Sequence, residues 1–287
     1  MSLFILGVFL VLMFLGIPVA VSLGMASLGA ILMYDTSTIA SAVKLMYSSM
    51  NSFTMVAVPL FFLAGILMDK GGVAEQIFSF CEDVVGWIHG GLGHVNIMTS
   101  ILFAGMSGSS VADVASIGAL CANAMIRSGY PSPYAWGTTL ASSMLASVIP
   151  PSILMVVAAS VAQVSMGQAL FAGIIPGVFL GLVMMVYNYF YCKKHGIGHR
   201  IPFNGGRLWK SFKRALPALM VPVILLGGMY TGSFTSTEAA AICVLYTLIV
   251  SMFVYKKLTF KDLPGIFMSV AKSTGTVVGC CAALAEG

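Results

Sequence analysis

Residues 102–118 read LFAGMSGSSVADVASIG, a small and polar stretch in a strongly apolar chain. It holds three glycines, four serines and one aspartate among seventeen residues, and apolar runs flank it on both sides. Glycine permits turns with positive φ, and serine hydroxyls supply polar oxygens. The stretch therefore predicts a polar turn inside an otherwise apolar segment.

The composition around this turn is that of a membrane protein. Of the 287 residues, 59% are hydrophobic and 8% are charged, and the mean hydropathy is +1.00. Soluble domains carry about 25% charged residues. The apolar runs recur from end to end, so we predict an all-α polytopic protein whose main surroundings are the lipid bilayer. The net charge of +5 is assigned to cytoplasmic loops, and no nucleic-acid partner is expected.

Basic residues cluster in two places, 193–214 and 256–261. Cytoplasmic loops of membrane proteins are enriched in Lys and Arg. We therefore expect a cytoplasmic basic loop over 192–215, with two crossings, 216–230 and 238–255, between the clusters. The charged stretch 73–87 is expected to lie at the cytoplasmic interface.

The segment 94–126 is too long for one crossing. A single helix of this length would measure about 50 Å, against roughly 30 Å for the hydrocarbon core. We predict a re-entrant hairpin over 94–127 with its tip at Ser107–Ser110, and a single long helix is the alternative. A second interruption, Pro150-Pro151, predicts a broken helix over 134–164.

The two halves of the chain are predicted to form an inverted repeat. Each half begins with a pair of apolar runs, continues with an amphipathic stretch and ends in a further apolar segment. Inverted repeats with broken helices are typical of secondary transporters. The second repeat is expected to be incomplete, as if the chain were truncated. The predicted parts are scaffold helices 1–52, transport segment 53–191, basic loop 192–215, scaffold helices 216–273 and the start of a second transport half, 274–287.

The two interruptions are candidates for one binding site. Unwound backbone inside a membrane is tolerated where it lines a cavity or is buried in protein. Glycine turns, serine hydroxyls and freed carbonyls together suit Na⁺, although close packing of helices through Gly and Ser is the alternative. Asp113 would interact with a helix N-terminus or balance a cation, and Asn51, Pro59 and Ser152 would support the site. The predicted Na⁺-site residues are Ser107, Gly108, Ser109, Ser110, Ser147, Pro150 and Pro151.

Other reactive residues predict no further chemistry. The six cysteines form no CxxC pair and are interpreted as small buried side chains. The apolar segments contain no His, Asp or Glu cluster that would indicate an intramembrane enzyme, and no ring of charges typical of a channel. Thr235 and Glu238 are predicted to cap a helix. No cofactor is expected, and no metal other than Na⁺.

Several long motifs, in this order, resemble the large membrane subunit (DctM-like) of tripartite ATP-independent periplasmic (TRAP) transporters. They cover nearly the whole chain. The motifs are NSFTMVAVPLFFLAGILMDKGG, GGLGHVNIMTSILFAGMSGSSVADVASIG, SVIPPSILMVVAASVAQVSMGQALFAGIIPG, RALPALMVPVILLGGMYTGSFTSTEAAAICVLY and FVYKKLTFKDLP.

The resemblance implies a Na⁺-coupled symporter of elevator type in the bacterial inner membrane. A periplasmic binding protein would deliver an organic acid such as a C4-dicarboxylate or sialic acid, and a small membrane subunit with four helices would complete the complex. The resemblance also adds Ile149 to the Na⁺ site. A related symporter that needs no binding protein is the alternative.

The chain departs from the family pattern in two places. Ser236 stands where the family usually has proline. We expect the second hairpin and the second broken helix, which would supply the other half of the site in that family, to be absent from these 287 residues.

Overall fold

The chain is helical in the computed structural model, which describes residues 2–34, 38, 40, 41, 44, 47, 48, 51, 53–162, 164–198 and 202–284. No β-strand occurs among these residues. The α-helices are α1 (Ser2–Phe14), α2 (Val19–Tyr34), α3 (Ala57–Lys70), α4 (Val73–Val85), α5 (Gly91–Ser107), α6 (Ser110–Asp113), α7 (Ala119–Arg127), α8 (Ser132–Ser143), α9 (Ile153–Val161), α10 (Met166–Ala172), α11 (Ile174–His195), α12 (Gly205–Tyr230), α13 (Ser236–Ile249) and α14 (Leu263–Leu284).

Shorter helical turns connect several of these elements. A π-helical turn, Val114–Gly118, joins α6 to α7, and a second one, Val250–Val254, extends α13. The 3₁₀ turns are Phe53–Val56 before α3, Met144–Ser147 after α8 and Phe260–Asp262 before α14. Residues 110–127 and 132–147 therefore form two nearly continuous helical arms.

Several helices have the length and composition of membrane spans. In the part of the chain that the structure describes, three helical segments qualify: Met166–His195, Gly205–Tyr230 and Ser236–Val254. The pair α3 and α4 qualifies when it is taken together as a fourth, broken span. The all-helical architecture is that of a multi-pass membrane protein.

Helix α5 lies at the centre of the described fold. It packs against α3, α4, α8, α11 and α12, and fourteen of its seventeen residues are buried. A helix that is buried on every side must accommodate its polar groups inside the protein. Asn96, Thr99 and Ser100 are such groups, and they face neighbouring helices rather than lipid.

Helices α3 and α4 meet at a bend of 68°. Gly72 makes the bend possible, since its φ of +76° lies in the left-handed region that glycine favours. The apolar face of α4 packs against α5 and α12. On its polar face the buried Asp83 carboxylate accepts a hydrogen bond from Arg207 of α12, and Glu82 lies 3.8 Å from the same guanidinium.

Three predicted boundaries differ from the structure or lie outside it. The predicted basic loop over 192–215 is wrong in extent, because α11 continues to His195 and α12 begins at Gly205, where the Asn204 side chain caps its first turn. The predicted boundary at 273–274 falls inside α14, where Thr276 donates to the Lys272 carbonyl and the helix continues. The amphipathic stretch that the repeat pattern predicts in the first half, residues 37–51, lies largely outside the described residues.

Candidate functional site

The chain reverses direction at Gly108. Helix α5 ends at Ser107, Gly108 has φ +62°, and α6 begins at Ser110. The α7 arm then packs back against α5. The Ser109 side chain accepts a hydrogen bond from the Ala112 N–H at 3.4 Å, so it caps the returning helix. These contacts form a helical hairpin whose turn is Ser107–Ser110.

The second interruption lies at Pro150-Pro151. The helical arm that begins with α8 ends at Ser147, and α9 begins at Ile153. Ser152 caps α9, since its hydroxyl accepts from the Met155 N–H at 3.2 Å. The same hydroxyl donates to the Ser147 carbonyl at 2.7 Å. Ser152 therefore bridges the two ends of the broken helix, across prolines that offer no N–H.

The hairpin turn and the broken helix meet directly. The Ile153 N–H donates to the Gly108 carbonyl at 3.1 Å, and the hydroxyls of Ser110 and Ser147 are hydrogen-bonded to each other. A Cβ atom on Gly108 would lie 2.1 Å from the Pro151 carbonyl oxygen. Only glycine allows this approach, and two segments about forty residues apart thereby form one structure.

The joined segments concentrate uncharged oxygen atoms. Ser109, Ser110 and Ser147 are half-buried, and each carries a hydroxyl oxygen. The carbonyls of Gly108 and Ser147 each accept one hydrogen bond, and a carbonyl oxygen has a second lone pair to offer. Neutral oxygens at broken-helix ends are ligands that suit Na⁺.

Asp113 places a carboxylate behind the turn. Its side chain is fully buried, and its Oδ1 accepts a hydrogen bond from the Ser107 hydroxyl. Its Oδ2 is buried without a hydrogen-bond partner among the described residues. Asp113 also lies in the first turn of the returning arm, where the helix dipole favours negative charge. A buried carboxylate with one unused oxygen can balance a bound cation nearby.

A cleft of about 440 Å³ opens in front of the hairpin turn. Its lining includes Ser107 and Ser109 of the turn, Gly65 of α3, and Ser273 and Thr276 of α14. The approach of α3 depends on Gly65, because a Cβ atom there would lie 3.1 Å from the Ser107 carbonyl oxygen. Sequence reasoning missed the α14 side, although the polar residues of KSTGT inside an apolar run were a usable signal.

A second feature that sequence reasoning missed is a buried polar seam between α5 and α8. The Asn96 side-chain amide donates to the Thr139 hydroxyl at 2.7 Å, and the Ser100 hydroxyl donates to Ser142 at 2.9 Å. All four side chains are buried. A satisfied network of this kind fixes the register of its two helices. The seam therefore joins the hairpin to the broken helix along their length.

The remaining predicted site residues are Ile149, Pro59 and Asn51. Ile149 is buried, and its side chain packs on Gly177 of α11, where a Cβ atom would lie 2.4 Å from Ile149 Cγ1. Pro59 lies in the first turn of α3 and is half-buried. Asn51 is exposed, and its N–H donates to the Tyr47 carbonyl at 2.9 Å. Within the described residues, no hydrogen bond joins Pro59 or Asn51 to the serines of the turn.

The described residues contain no candidate centre for a transition metal. Among the residues that the structure describes, no group of three or more His, Cys, Asp and Glu side chains is placed to hold a metal ion. The described free cysteines are buried and dispersed, as predicted for small apolar side chains.

The predicted cap of α13 is confirmed, since Thr235 and Glu238 form a capping box.

The fold and the site define a multi-pass membrane protein in which a helical hairpin meets a broken helix. Over residues 6–285 the chain matches the family described as "Tripartite ATP-independent periplasmic transporter, DctM component". This match covers nearly the whole sequence. The chain belongs to the DctM family of TRAP transporter large permease proteins.

Individual relatives agree with this assignment. The chain is 38% identical over 270 residues to the sialic acid TRAP transporter permease protein SiaT of Haemophilus influenzae, covering 94% of this chain and 44% of SiaT. It is 39% identical over 266 residues to the large permease protein SiaM of Vibrio cholerae, covering 93% and 62%. Identity to the C4-dicarboxylate protein DctM of Pseudomonas aeruginosa is 37% over 254 residues, covering 88% and 59%. The chain thus spans about half the length of the relatives that it matches.

Proposed function

We propose that this chain forms part of the large permease subunit of a Na⁺-coupled secondary transporter that imports an organic acid. The proposal rests on the contact between the hairpin turn and the broken helix, which Gly108 and Pro151 make. A Na⁺ ion would bind among the oxygens of Ser107–Ser110 and 147–151. The relatives named for sialic acid, C4-dicarboxylates and isethionate support an organic anion as the substrate class.

The same family supports our proposal for the partners and the location. A periplasmic binding protein would deliver the substrate, and a small four-helix membrane subunit would complete the complex in the bacterial inner membrane. The family description names a tripartite periplasmic system. A symporter that works without a binding protein is therefore the less favoured alternative.

The mechanism would be an elevator movement. The hairpin and the broken helix would move as one body, because the buried seam of Asn96 with Thr139 ties α5 to α8. The scaffold would comprise 1–52 together with α12 and α13, and the transport segments would comprise 53–191. The cleft between Ser109 and Thr276 would form one side of the path for the organic acid.

The test is uptake into proteoliposomes that contain the full-length subunit, the small partner and the binding protein. Radiolabelled sialic acid and a C4-dicarboxylate are offered under an inward Na⁺ gradient, with K⁺ in place of Na⁺ as the control. We expect uptake of one substrate with Na⁺ and a loss of at least ten-fold with K⁺. Equal uptake in both ions would refute Na⁺ coupling, and equal uptake without the binding protein would favour the alternative symporter.

A further inference from the structure

An open groove runs between α8 and α11 on the outside of the fold, away from the hairpin turn. Its volume is about 440 Å³, within the range of about 300–1,000 Å³ typical of ligand sites. Pro133, Gly137 and Ala141 form one wall, and Val183 and Tyr187 form the other. The wall on α8 is about 12 Å long, from the rise per residue of a helix. The groove is mainly apolar along this length.

One end of the groove is aromatic and basic. The ring of Tyr134 at this end stacks on Tyr191 with centroids 4.3 Å apart, and Tyr191 stacks on His195 at the same distance. Lys194 is exposed and lies seven residues after Tyr187, hence on the same face of α11. Tyrosines and basic residues at a helix end mark the level of lipid headgroups.

The positive charge at this end is not neutralised by the protein. Arg127 is exposed at the end of α7, three residues before Tyr130, whose ring stacks on Tyr134. Among the ion pairs found in the described residues, neither Arg127 nor Lys194 takes part in one. The groove is thus mainly apolar, and Lys194 follows the groove-lining Tyr187 by two helical turns on the same face, an arrangement that complements an amphipathic anion.

We propose that this groove binds an anionic glycerophospholipid, with an acyl chain between α8 and α11 and the phosphate near Lys194 and Arg127. Basic pockets between membrane helices bind anionic headgroups in this way. Open space over Gly137, where a Cβ atom would have no neighbour within 4 Å, leaves room for the chain. The inference requires only that the protein lies in a membrane, and it does not depend on Na⁺ coupling or on the substrate.

The test is lipid retention, measured by native mass spectrometry of the purified full-length subunit. Phosphatidylglycerol and phosphatidylcholine with identical acyl chains serve as the two probes. We expect phosphatidylglycerol to be retained preferentially and Gly137→Leu to lower its retention to the level of phosphatidylcholine. Lys194→Gln should weaken retention about five-fold, the effect of one basic residue beside an anionic headgroup.

Two variants provide matched controls. Gly227 of α12 also has open space over its Cα atom, so Gly227→Leu should leave phosphatidylglycerol retention unchanged. Lys272 of α14 is exposed, and Lys272→Gln should likewise have no effect. If Gly137→Leu fails to fold, the test is the comparison of phosphatidylglycerol retention between the exposed variants Lys194→Gln and Lys272→Gln.

Three results would overturn the proposal. Equal retention of the two lipids by the wild-type protein would remove the basis for an anionic ligand. Equal effects of Gly137→Leu and Gly227→Leu would show that the groove is not the binding place. If Gly137→Leu left lipid retention intact but abolished co-purification of the small membrane subunit, the groove would be a protein contact instead.

Discussion

Replacing Gly108 with alanine tests the contact that joins the hairpin to the broken helix. An L-residue at φ +62° costs about 1–2 kcal/mol. The added Cβ would lie 2.1 Å from the Pro151 carbonyl oxygen, so the two segments must separate. Such overpacking costs about 1–3 kcal/mol, and loss of the Ile153 N–H to Gly108 bond adds about 1 kcal/mol. We expect Gly108→Ala to cost about 3–6 kcal/mol in total.

A matched control separates the steric contact from the backbone conformation. Gly129 has φ +86° but no atom within 4 Å of a built Cβ, so Gly129→Ala incurs only the conformational cost of about 1–2 kcal/mol. The assay is thermal unfolding of the purified proteins in detergent. With about 3 °C per kcal/mol, Gly108→Ala should lower the midpoint by about 13 °C and Gly129→Ala by about 4 °C. Equal shifts in the two variants would refute the contact between Gly108 and Pro151.

Three further predictions concern hydrogen bonds. Ser110→Ala and Ser147→Ala should be coupled by about 0.5–1.5 kcal/mol in a double-mutant cycle of thermal stability, and additive effects would contradict their bond. Asp113→Leu leaves the buried Ser107 hydroxyl without its acceptor and should cost about 1–3 kcal/mol of stability. Asp113→Asn keeps an acceptor oxygen and should cost less. A lower unfolding midpoint for Asp113→Asn than for Asp113→Leu would contradict this hydrogen bond. Thr235→Ala removes the cap of α13 and should cost about 1 kcal/mol in the same assay, whereas an unchanged midpoint would mean that the cap does not stabilise the fold.

Local features of the site could be predicted because single residues carry them. Proline lacks an N–H and glycine accepts positive φ, so Pro150-Pro151 and Gly108 identify the two interruptions from the sequence. The cap at Thr235 could also be predicted from the sequence, because its partner Glu238 is only three residues away. Each of these signals acts within one turn of helix.

Contacts between distant segments could not be predicted in this way. The pairing of Asn96 with Thr139 spans 43 residues, and the sequence of neither helix indicates which helix is its partner. The extent of the basic loop was mispredicted because Lys and Arg indicate the side of the membrane rather than the absence of helix. The Asn204 cap starts α12 inside the basic cluster, and the charged residues then lie on a helical surface.

A Na⁺ titration of the purified full-length subunit, followed by thermal unfolding at constant ionic strength, directly tests the proposed Na⁺ site. A ligand that binds only the folded state raises stability by about 2.7 kcal/mol at one hundred times its dissociation constant. We predict that Na⁺, but not K⁺, raises the midpoint of the wild-type protein. We also predict that the Ser110→Ala, Ser147→Ala double variant requires at least ten-fold more Na⁺. An identical Na⁺ response in the double variant, or no response in the wild type, would contradict a Na⁺ site between the hairpin turn and the broken helix.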